Sequence, residues 1–313
     1  MPILNFGSLN LDHVYSVEHF VRPGETVSSQ DMQSFPGGKG LNQSVALAKA
    51  GARVFHAGCV GQDGALLTDT LAQSGVDTRL IHQVSIPTGH AVIQVDETGQ
   101  NCILLYGGAN RAIGPEQIRQ TLLDFSREAG EPALVLLQNE ISGLPRILEL
   151  CRRLGLPTAL NPSPITSDLP GLPLGEVTWL ILNELEAQAL LGDSSCTGVS
   201  EESIGKMLIG ALAQRYPRTN LVLTLGDQGA LCRLAGTDNG ILYQPIFPVN
   251  AVDTTAAGDT FTGYFLQGIY SGRTPAQALE WASAASALAV SRHGAAPSIP
   301  TALEVREFLQ RRG

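Results

Sequence analysis

The sequence predicts a three-layer α/β/α fold with a mainly parallel central sheet, plus a small separate β-sheet. Three observations carry the prediction. Six short runs read as strands, and several are almost continuously apolar, the pattern of strands buried on both faces. They alternate with stretches of helical periodicity, the order that builds a parallel sheet between helical layers. Two further segments alternate polar and apolar residues, as half-exposed strands do.

The elements follow in order. Residues 3–7 open the chain as a strand, and residues 13–35 are the first alternating segment. A helix over 41–50, a strand over 53–60 and a helix over 65–73 come next. Residues 89–106 are the second alternating segment. There Ala91-Val92-Ile93-Gln94-Val95 runs into Asp96-Glu97-Thr98-Gly99-Gln100 and then Asn101-Cys102-Ile103-Leu104-Leu105, a hairpin with a Gly-containing turn. Helices are expected over 115–128 and 275–290, where Pro115 and Pro275 suit first turns because the N–H they lack would be unpaired anyway. Between them lie strands at 133–138, 158–161, 177–182 and 220–225, and helices at 144–154, 184–191, 201–216 and 260–270. Residues 194–200 read as a surface loop. With no internal repeat and no low-complexity linker, residues 1–313 read as one domain with two insertions, at about 13–35 and 89–106.

Composition excludes several classes. Hydrophobic residues make up 43% and charged residues 16% of the chain, an ordinary globular balance. The net charge of −9 leaves no basic stripe for nucleic acid or an anionic membrane. An acidic protein still binds an anionic nucleotide where helix dipoles and a metal act locally. Cys59, Cys102, Cys151, Cys196 and Cys232 are odd in number, widely spaced and form no C-x-x-C, which argues against a disulfide framework or a zinc site. They read as buried small hydrophobes in a reducing compartment. The N-terminus lacks a basic region and cleavage site, and no apolar run reaches the roughly 18 residues of a membrane span. The expectation is a soluble, cytoplasmic protein.

The most informative stretch is Asp253-Thr254-Thr255-Ala256-Ala257-Gly258-Asp259-Thr260. Small residues opening a helix let consecutive N–H groups face an anion, and the helix N-terminus adds partial positive charge. Asp259 places a carboxylate beside that anion hole. Phosphoryl transfer needs both, donors for the phosphoryl oxygens and a base for the attacking hydroxyl.

Five other constellations are weaker. Asn10 and Asp12 follow the first strand, where α/β folds bind ligands, or they form an Asx-turn. Pro36-Gly37-Gly38-Lys39-Gly40-Leu41-Asn42-Gln43 opens a helix; its glycines allow close approach to a ligand, or simply a turn and cap. It has neither P-loop nor dinucleotide-fingerprint spacing. Asn139-Glu140 ends a strand, where a carboxylate accepts from sugar hydroxyls or is merely solvated. Asn183-Glu184-Leu185-Glu186 could order water around Mg²⁺, or reflect acidic enrichment in a first helical turn. Thr224-Leu225-Gly226-Asp227-Gln228-Gly229 is a nucleotide contact or a tight turn.

In order and spacing these pieces resemble the ribokinase-like sugar kinases, the phosphofructokinase-B type of carbohydrate kinase, over essentially the whole chain to Ser298. The resemblance implies the following roles. Asp259 is the base, with Ala256, Ala257 and Gly258 as the anion hole. Asn10, Asp12, Gly38, Lys39, Gly40, Asn42 and Glu140 contact the sugar. Asn183, Thr224, Leu225, Gly226, Asp227, Gln228 and Gly229 face ATP, with Glu186 reaching Mg²⁺ through water. Asp253, Thr255, Ala289, Arg292, Gly294 and Ser298 hold K⁺. The two insertions form a lid that also clasps a homodimer. Three residues depart from the family pattern: Ser283, where His or Asn often lies near the adenine; Thr255, in place of an apolar residue; and Leu41, in place of a smaller one that would leave a differently shaped sugar pocket. Ile93 and Leu105 are expected in the pocket's apolar wall.

The implied reaction is D-ribose plus ATP giving D-ribose 5-phosphate plus ADP. Alternatives are a sibling kinase for deoxyribose, fructose or another ketose, or a nucleoside, or a non-catalytic sugar or nucleotide binder. Asp259 at an anion hole weighs against a mere binder. A dinucleotide oxidoreductase is disfavoured because no glycine fingerprint follows the first strand.

Overall fold

The computed structural model describes residues 1–130, 133–167, 169–192, 201–237 and 240–312, without the side chains of 201–203. The expected loop at 194–200, with Cys196, lies outside them. Strands β1 (Pro2–Phe6), β4 (Arg53–Val60), β5 (Asp77–Gln83), β8 (Leu134–Gln138), β9 (Thr158–Asn161), β10 (Trp179–Asn183) and β11 (Asn220–Thr224) pair in parallel. Antiparallel β12 (Ala230–Arg233) and β13 (Leu242–Gln244) extend one edge. The order across the sheet is β13-β12-β11-β10-β9-β8-β1-β4-β5.

Alternate side chains of each strand enter two separate cores. Ile3, Leu134, Leu136 and Ile181 join α1 (Lys39–Lys49), α7 (Ala257–Tyr270) and α8 (Pro275–Val290) on one face. Leu4, Phe6, Val135, Leu137 and Leu180 join α3 (Pro115–Ala129), α4 (Leu144–Leu154), α5 (Glu184–Leu191) and α6 (Glu201–Arg215) on the other. That is the three-layer sandwich the apolar runs predict. The helices α2 (Ala65–Gln73) and α9 (Ala302–Gln310) complete it.

The second sheet is β3-β2-β6-β7, from β2 (Asn10–Ser16), β3 (Asp31–Gly37), β6 (Gly89–Val95) and β7 (Asn101–Tyr106). Its strands reach Asn10 and Gly37, beyond the expected 13–35, so Asn10 and Asp12 are strand residues and not an Asx-turn. The sheet is incompletely covered: every residue of β7 is exposed, Leu104 by 71%. Cys102 is exposed with it, unlike the buried Cys59, Cys151 and Cys232 and against the sequence expectation.

Two helix starts also move. α1 begins at Lys39 and not at 41, after Gly38 at φ +93°. α7 begins at Ala257 and not at 260, which places Asp259 inside its first turn. Among the described residues, no helix is long and apolar enough to cross a membrane.

Candidate active site at the switch point of the sheet

Chain order reverses between β1 and β8: β4 and β5 follow on one side, β9 to β11 on the other. Loops leaving the two strands there diverge to opposite faces and open a crevice at their carboxyl ends. Ser8 leaves β1 and Glu140 leaves β8 at this point, and their side chains meet: Ser8 Oγ donates to Glu140 Oε2. The same oxygen accepts the Lys39 N–H at 3.1 Å, and Ser8 Oγ accepts from the Gly40 N–H at 3.1 Å. The start of α1 is thus fastened to the switch point.

The glycines of this loop have a reason that precedes any ligand. A Cβ at Gly40 would lie 2.3 Å from the Ser8 nitrogen, and one at Gly37 would lie 2.0 Å from Asp12 Oδ2. The close approach they permit is to the protein's own β1 and β2. Leu41 is fully buried in the core under α1.

Asp259 is 7% exposed. Asn42 Nδ2 donates to its Oδ2 at 3.1 Å and Gln43 Nε2 to its Oδ1 at 2.8 Å. Burial raises its pKa; Lys39 and the two amides oppose this, and Glu140 adds to it. Burial pulls Lys39 down, but Asp259, Glu140 and Glu186 outweigh it and hold the ammonium above its usual value. Asp12, at the same mouth, is pushed up to about 6 by burial and by the Glu140 carboxylate. Asn42 Oδ1 is buried without a partner. An oxygen so placed asks for a donor.

Asn10, Leu105, Gly107, Asn110, Arg111, Glu140 and Pro164 line a cavity of about 140 Å³ here. Leu105 is in this lining and Ile93 is not. Asn110 and Arg111 carry no sequence motif. Asn110 is fixed by bonds to both backbone groups of Leu9 and donates to Asn10 Oδ1 at 2.7 Å. A larger groove, about 400 Å³ and lined by Phe55, Arg79, Leu80, Asp124, Arg127 and Glu128, holds none of the candidate residues.

The α7 cap residue Ala256 makes no side-chain cap bond, and a Cβ at Gly258 would meet nothing within 4 Å. The space beside Gly258 is therefore open, while the Ala257 N–H reaches the Thr254 carbonyl at 3.2 Å. Ser286 Oγ on α8 donates to the Ala257 carbonyl at 3.1 Å, and one turn earlier Ser283 is buried with its hydroxyl unpartnered. Across the sheet, Asn183 and Thr224 sit side by side at the ends of β10 and β11. Asn183 and Glu186 form a capping box, each side chain bonded to the other's backbone N–H, so a structural role for both is visible. Gly226–Gln228 is a tight turn into β12, and Gly229 has φ +99° against Gln244.

Asp253 Oδ1 accepts from the N–H and hydroxyl of Thr255, and Oδ2 from the Gly294 N–H at 2.9 Å. The Thr255 side chain, unexpected in this position, holds the Asp253 carboxylate. Val252 and Asp253 N–H groups both reach the Val290 carbonyl, stitching this segment to the end of α8. Burial opposes ionisation of Asp253, but the Thr255 and Gly294 bonds and nearby His293 hold it below the usual carboxylate range.

The sequence matches the pfkB family of carbohydrate kinases over residues 3–302. It is 35% identical over 307 residues to a ribokinase of Haemophilus influenzae, covering 97% of each chain. The fold superposes on a ribokinase from Cryptococcus neoformans var. grubii serotype A in complex with ADP, with TM-score 0.85, 32% identity and 98% and 99% of the two chains covered. An Arabidopsis thaliana ribokinase complexed with ribose and ATP gives TM-score 0.84 at 30% identity, covering 99% and 98%. The chain belongs to the pfkB family of carbohydrate kinases, as a ribokinase-like sugar phosphotransferase.

Proposed function

We propose that this kinase phosphorylates D-ribose at its primary hydroxyl with ATP, giving D-ribose 5-phosphate and ADP. The carrying observation is the buried Asp259 carboxylate at the open N-terminal turn of α7, beside an Asn42 oxygen that lacks a partner. The similar ribokinases bound to ribose, ATP or ADP support both substrates. In this reading Asn10, Asp12, Gly38, Lys39, Gly40, Asn42 and Glu140 hold the sugar. Asp259 takes the hydroxyl proton as oxygen attacks the γ-phosphorus and the bond to the ADP leaving oxygen breaks. The N–H groups of Ala256, Ala257 and Gly258 stabilise charge on the phosphoryl oxygens. Asn183, the Thr224–Gly229 stretch and Ser283 line the nucleotide.

Two ions belong to the reading. Mg²⁺ would neutralise phosphate charge, with Glu186 reaching it through water. The capping box uses only one Glu186 oxygen, Oε2, which is compatible with that role. The ionised Asp253, the Ser298 hydroxyl and the carbonyls of Thr255, Ala289, Arg292 and Gly294 offer one carboxylate among neutral oxygens, a donor set that suits K⁺ rather than a divalent ion. K⁺ would fix the segment before α7 without touching the substrate. The small sheet is read as a lid over the sugar. Its exposed Met32, Phe35, Ile103 and Leu104 favour pairing with a second copy, because bare apolar edge strands invite association.

The reading is tested by coupled ADP release over pentoses, hexoses and nucleosides with Mg²⁺ and K⁺ present; ribose is expected to give the highest kcat/KM, and a preference for another sugar replaces it. Asp259→Asn is expected to lower kcat by roughly 10²–10⁴-fold with sugar binding and melting temperature nearly unchanged.

Asp12 ties stability to pH. Between its ordinary value, 3.8, and about 6, the folded protein keeps a proton that the unfolded chain has released, so stability falls as pH rises through that window. Asp12→Asn should therefore raise the stability above pH 6 by at most about 3 kcal/mol, seen as a higher melting temperature, with the gain fading toward pH 4. Calorimetry across that range checks it.

K⁺ should raise the rate several-fold over Na⁺ at matched ionic strength, and Asp253→Ala should blunt the response; equal rates in K⁺, Na⁺ and a bulky organic cation refute the site. Sedimentation at micromolar concentration is expected to show a homodimer, and a fully active monomer would refute the clasp.

A further inference from the structure

Beneath Asp259 runs a line of buried amides that phosphoryl transfer, as described, does not use. Gln43 on α1 is fully buried. Its Nε2 donates to Asp259 Oδ1 at 2.8 Å and more weakly to Asn161 Oδ1 at 3.3 Å. Its Oε1 accepts from Gln138 Nε2 at 2.6 Å. The same Gln138 nitrogen donates to Asn5 Oδ1 at 2.9 Å. Asn5 Nδ2 in turn donates to the Gly40 carbonyl at 2.7 Å and to Ser44 Oγ at 2.8 Å.

An amide has a donor end and an acceptor end, and the line has only one consistent direction. A backbone carbonyl can only accept. The Gly40 carbonyl therefore turns Asn5 Nδ2 toward itself and Asn5 Oδ1 toward Gln138. That oxygen needs a donor, so Gln138 presents Nε2, which also meets Gln43 Oε1. Gln43 is left with its N–H groups toward Asp259. Asn161 gives the same answer from another strand. Its Nδ2 donates to the Ile181 carbonyl at 2.9 Å, so its Oδ1 faces Gln43 and requires a donor there. Turning Gln138 over would set its oxygen against two acceptors. Its own Oε1, buried without a partner, is the cost of the orientation it keeps.

We propose that Gln43 is a positioning residue for the catalytic base: oriented by Gln138, Asn5 and Asn161, it holds Oδ1 of Asp259 and leaves Oδ2 to take the sugar's proton. The inference rests on Asp259 being that base. Oδ2 carries the longer bond, 3.1 Å from Asn42, whose own oxygen is unpartnered; Asn42 is free to turn toward a hydroxyl and Gln43 is not. An N–H donated to the carboxylate also favours its charged form, against the burial that raises its pKa.

The charged groups around this cluster are known. Lys39 and Glu140 act on Asp259 directly; Glu186 faces Lys39, and Glu140 faces Asp12. At the far end of the line His56 Nδ1 meets Ser44 Oγ at 2.8 Å, and burial pushes that imidazole down to about 4, so it stays neutral. Substituting Gln43 alters none of these charges, so a change in the titration of the base reports the amide itself.

The test is the pH dependence of kcat and KM for Gln43→Leu and, one bond further from the base, Gln138→Leu, with Asp259→Asn alongside. For Gln43→Leu, kcat should fall roughly ten- to a hundredfold, the worth of a hydrogen bond to a charged group, with KM for both substrates little changed. The acid limb of the rate profile should move up by about one pH unit, because the base loses a donor that favours its ionised form. Gln138→Leu should move the limb the same way by less, and it carries the test if Gln43→Leu does not fold. An acid limb that stays put in the folded variants while rate and melting temperature fall together would make Gln43 merely structural and overturn the inference. Wild-type activity in Asp259→Asn would overturn the base assignment as well, and so separates the two failures.

Discussion

The site sets one carboxylate where water is nearly excluded, and burial raises its pKa. An isolated ionised carboxylate in such surroundings takes up a proton. Asp259 on α7 is offset by Lys39, Asn42 and Gln43, all from the first turns of α1. Three residues of one helix reach one residue of another only if the two axes run close. A Cβ at Gly263 on α7 would stand 2.5 Å from the Ala46 Cβ and 2.9 Å from the Leu47 nitrogen on α1, so the crossing has room for glycine alone. α1 must also press on β1, and Gly40 removes the Cβ that would strike Ser8. Two glycines far apart in sequence thus both let Lys39, Asn42 and Gln43 reach Asp259, where they oppose the rise that burial imposes on its pKa.

The switch point of the sheet supplies the second half of the arrangement. Because β1 and β8 are neighbours whose connections leave in opposite directions, Ser8 and Glu140 meet at the crevice floor. Glu140 binds the Lys39 N–H, and so fixes the start of α1, yet its charge also raises the pKa of Asp12 and of Asp259. Lys39 is the counterweight. Its ammonium lies within reach of three carboxylates and is held charged by them in spite of burial. The mouth is therefore an unequal mixture of like and unlike charges, held by backbone contacts that a substrate does not have to create.

Much of this was legible from residues, and the failures have physical causes. Asp259, Asn42 and Glu140 stood out because polar residues at strand ends and helix starts carry positional meaning in an α/β fold. The strands β5, β12 and β13 escaped notice: all lie toward the sheet's edges, where one-sided burial and short length erase the apolar run. The short α9 was missed too, though Thr301 and Glu304 form a capping box that the sequence spells as T-x-x-E. Asn5 and Gln138 sit within apolar strands, PILNF and LVLLQ, where a lone amide looks like an interruption. The available signal was that a buried amide must find partners, and two in adjacent strands find each other. Asn110 offered no signal, since its partners, the Leu9 backbone and the Asn10 side chain, lie about a hundred residues away.

Gly258 differs in kind from the other glycines around the site. Gly37, Gly40 and Gly263 each have a backbone or side-chain atom where a Cβ would go, and Gly38 has a positive φ. Gly258 has neither: its φ is not in the left-handed region, and a Cβ there would meet nothing within 4 Å. The fold alone would accept Ala, and helix propensity would favour it by roughly 0.5–1 kcal/mol. A helix start that forgoes that stability, has no capping side chain and opens beside a buried carboxylate keeps its space for something that enters from outside. The geometry of the first turn restricts what that is. The Ala257 N–H already reaches the Thr254 carbonyl at 3.2 Å, and the other N–H groups that open the helix lie at its positive end, where a compact anion with several acceptor oxygens is stabilised best. A transferring phosphoryl group meets that description, and a sugar hydroxyl alone does not. On the proposed reading, the missing side chain at Gly258 leaves room for the phosphate and not for the sugar.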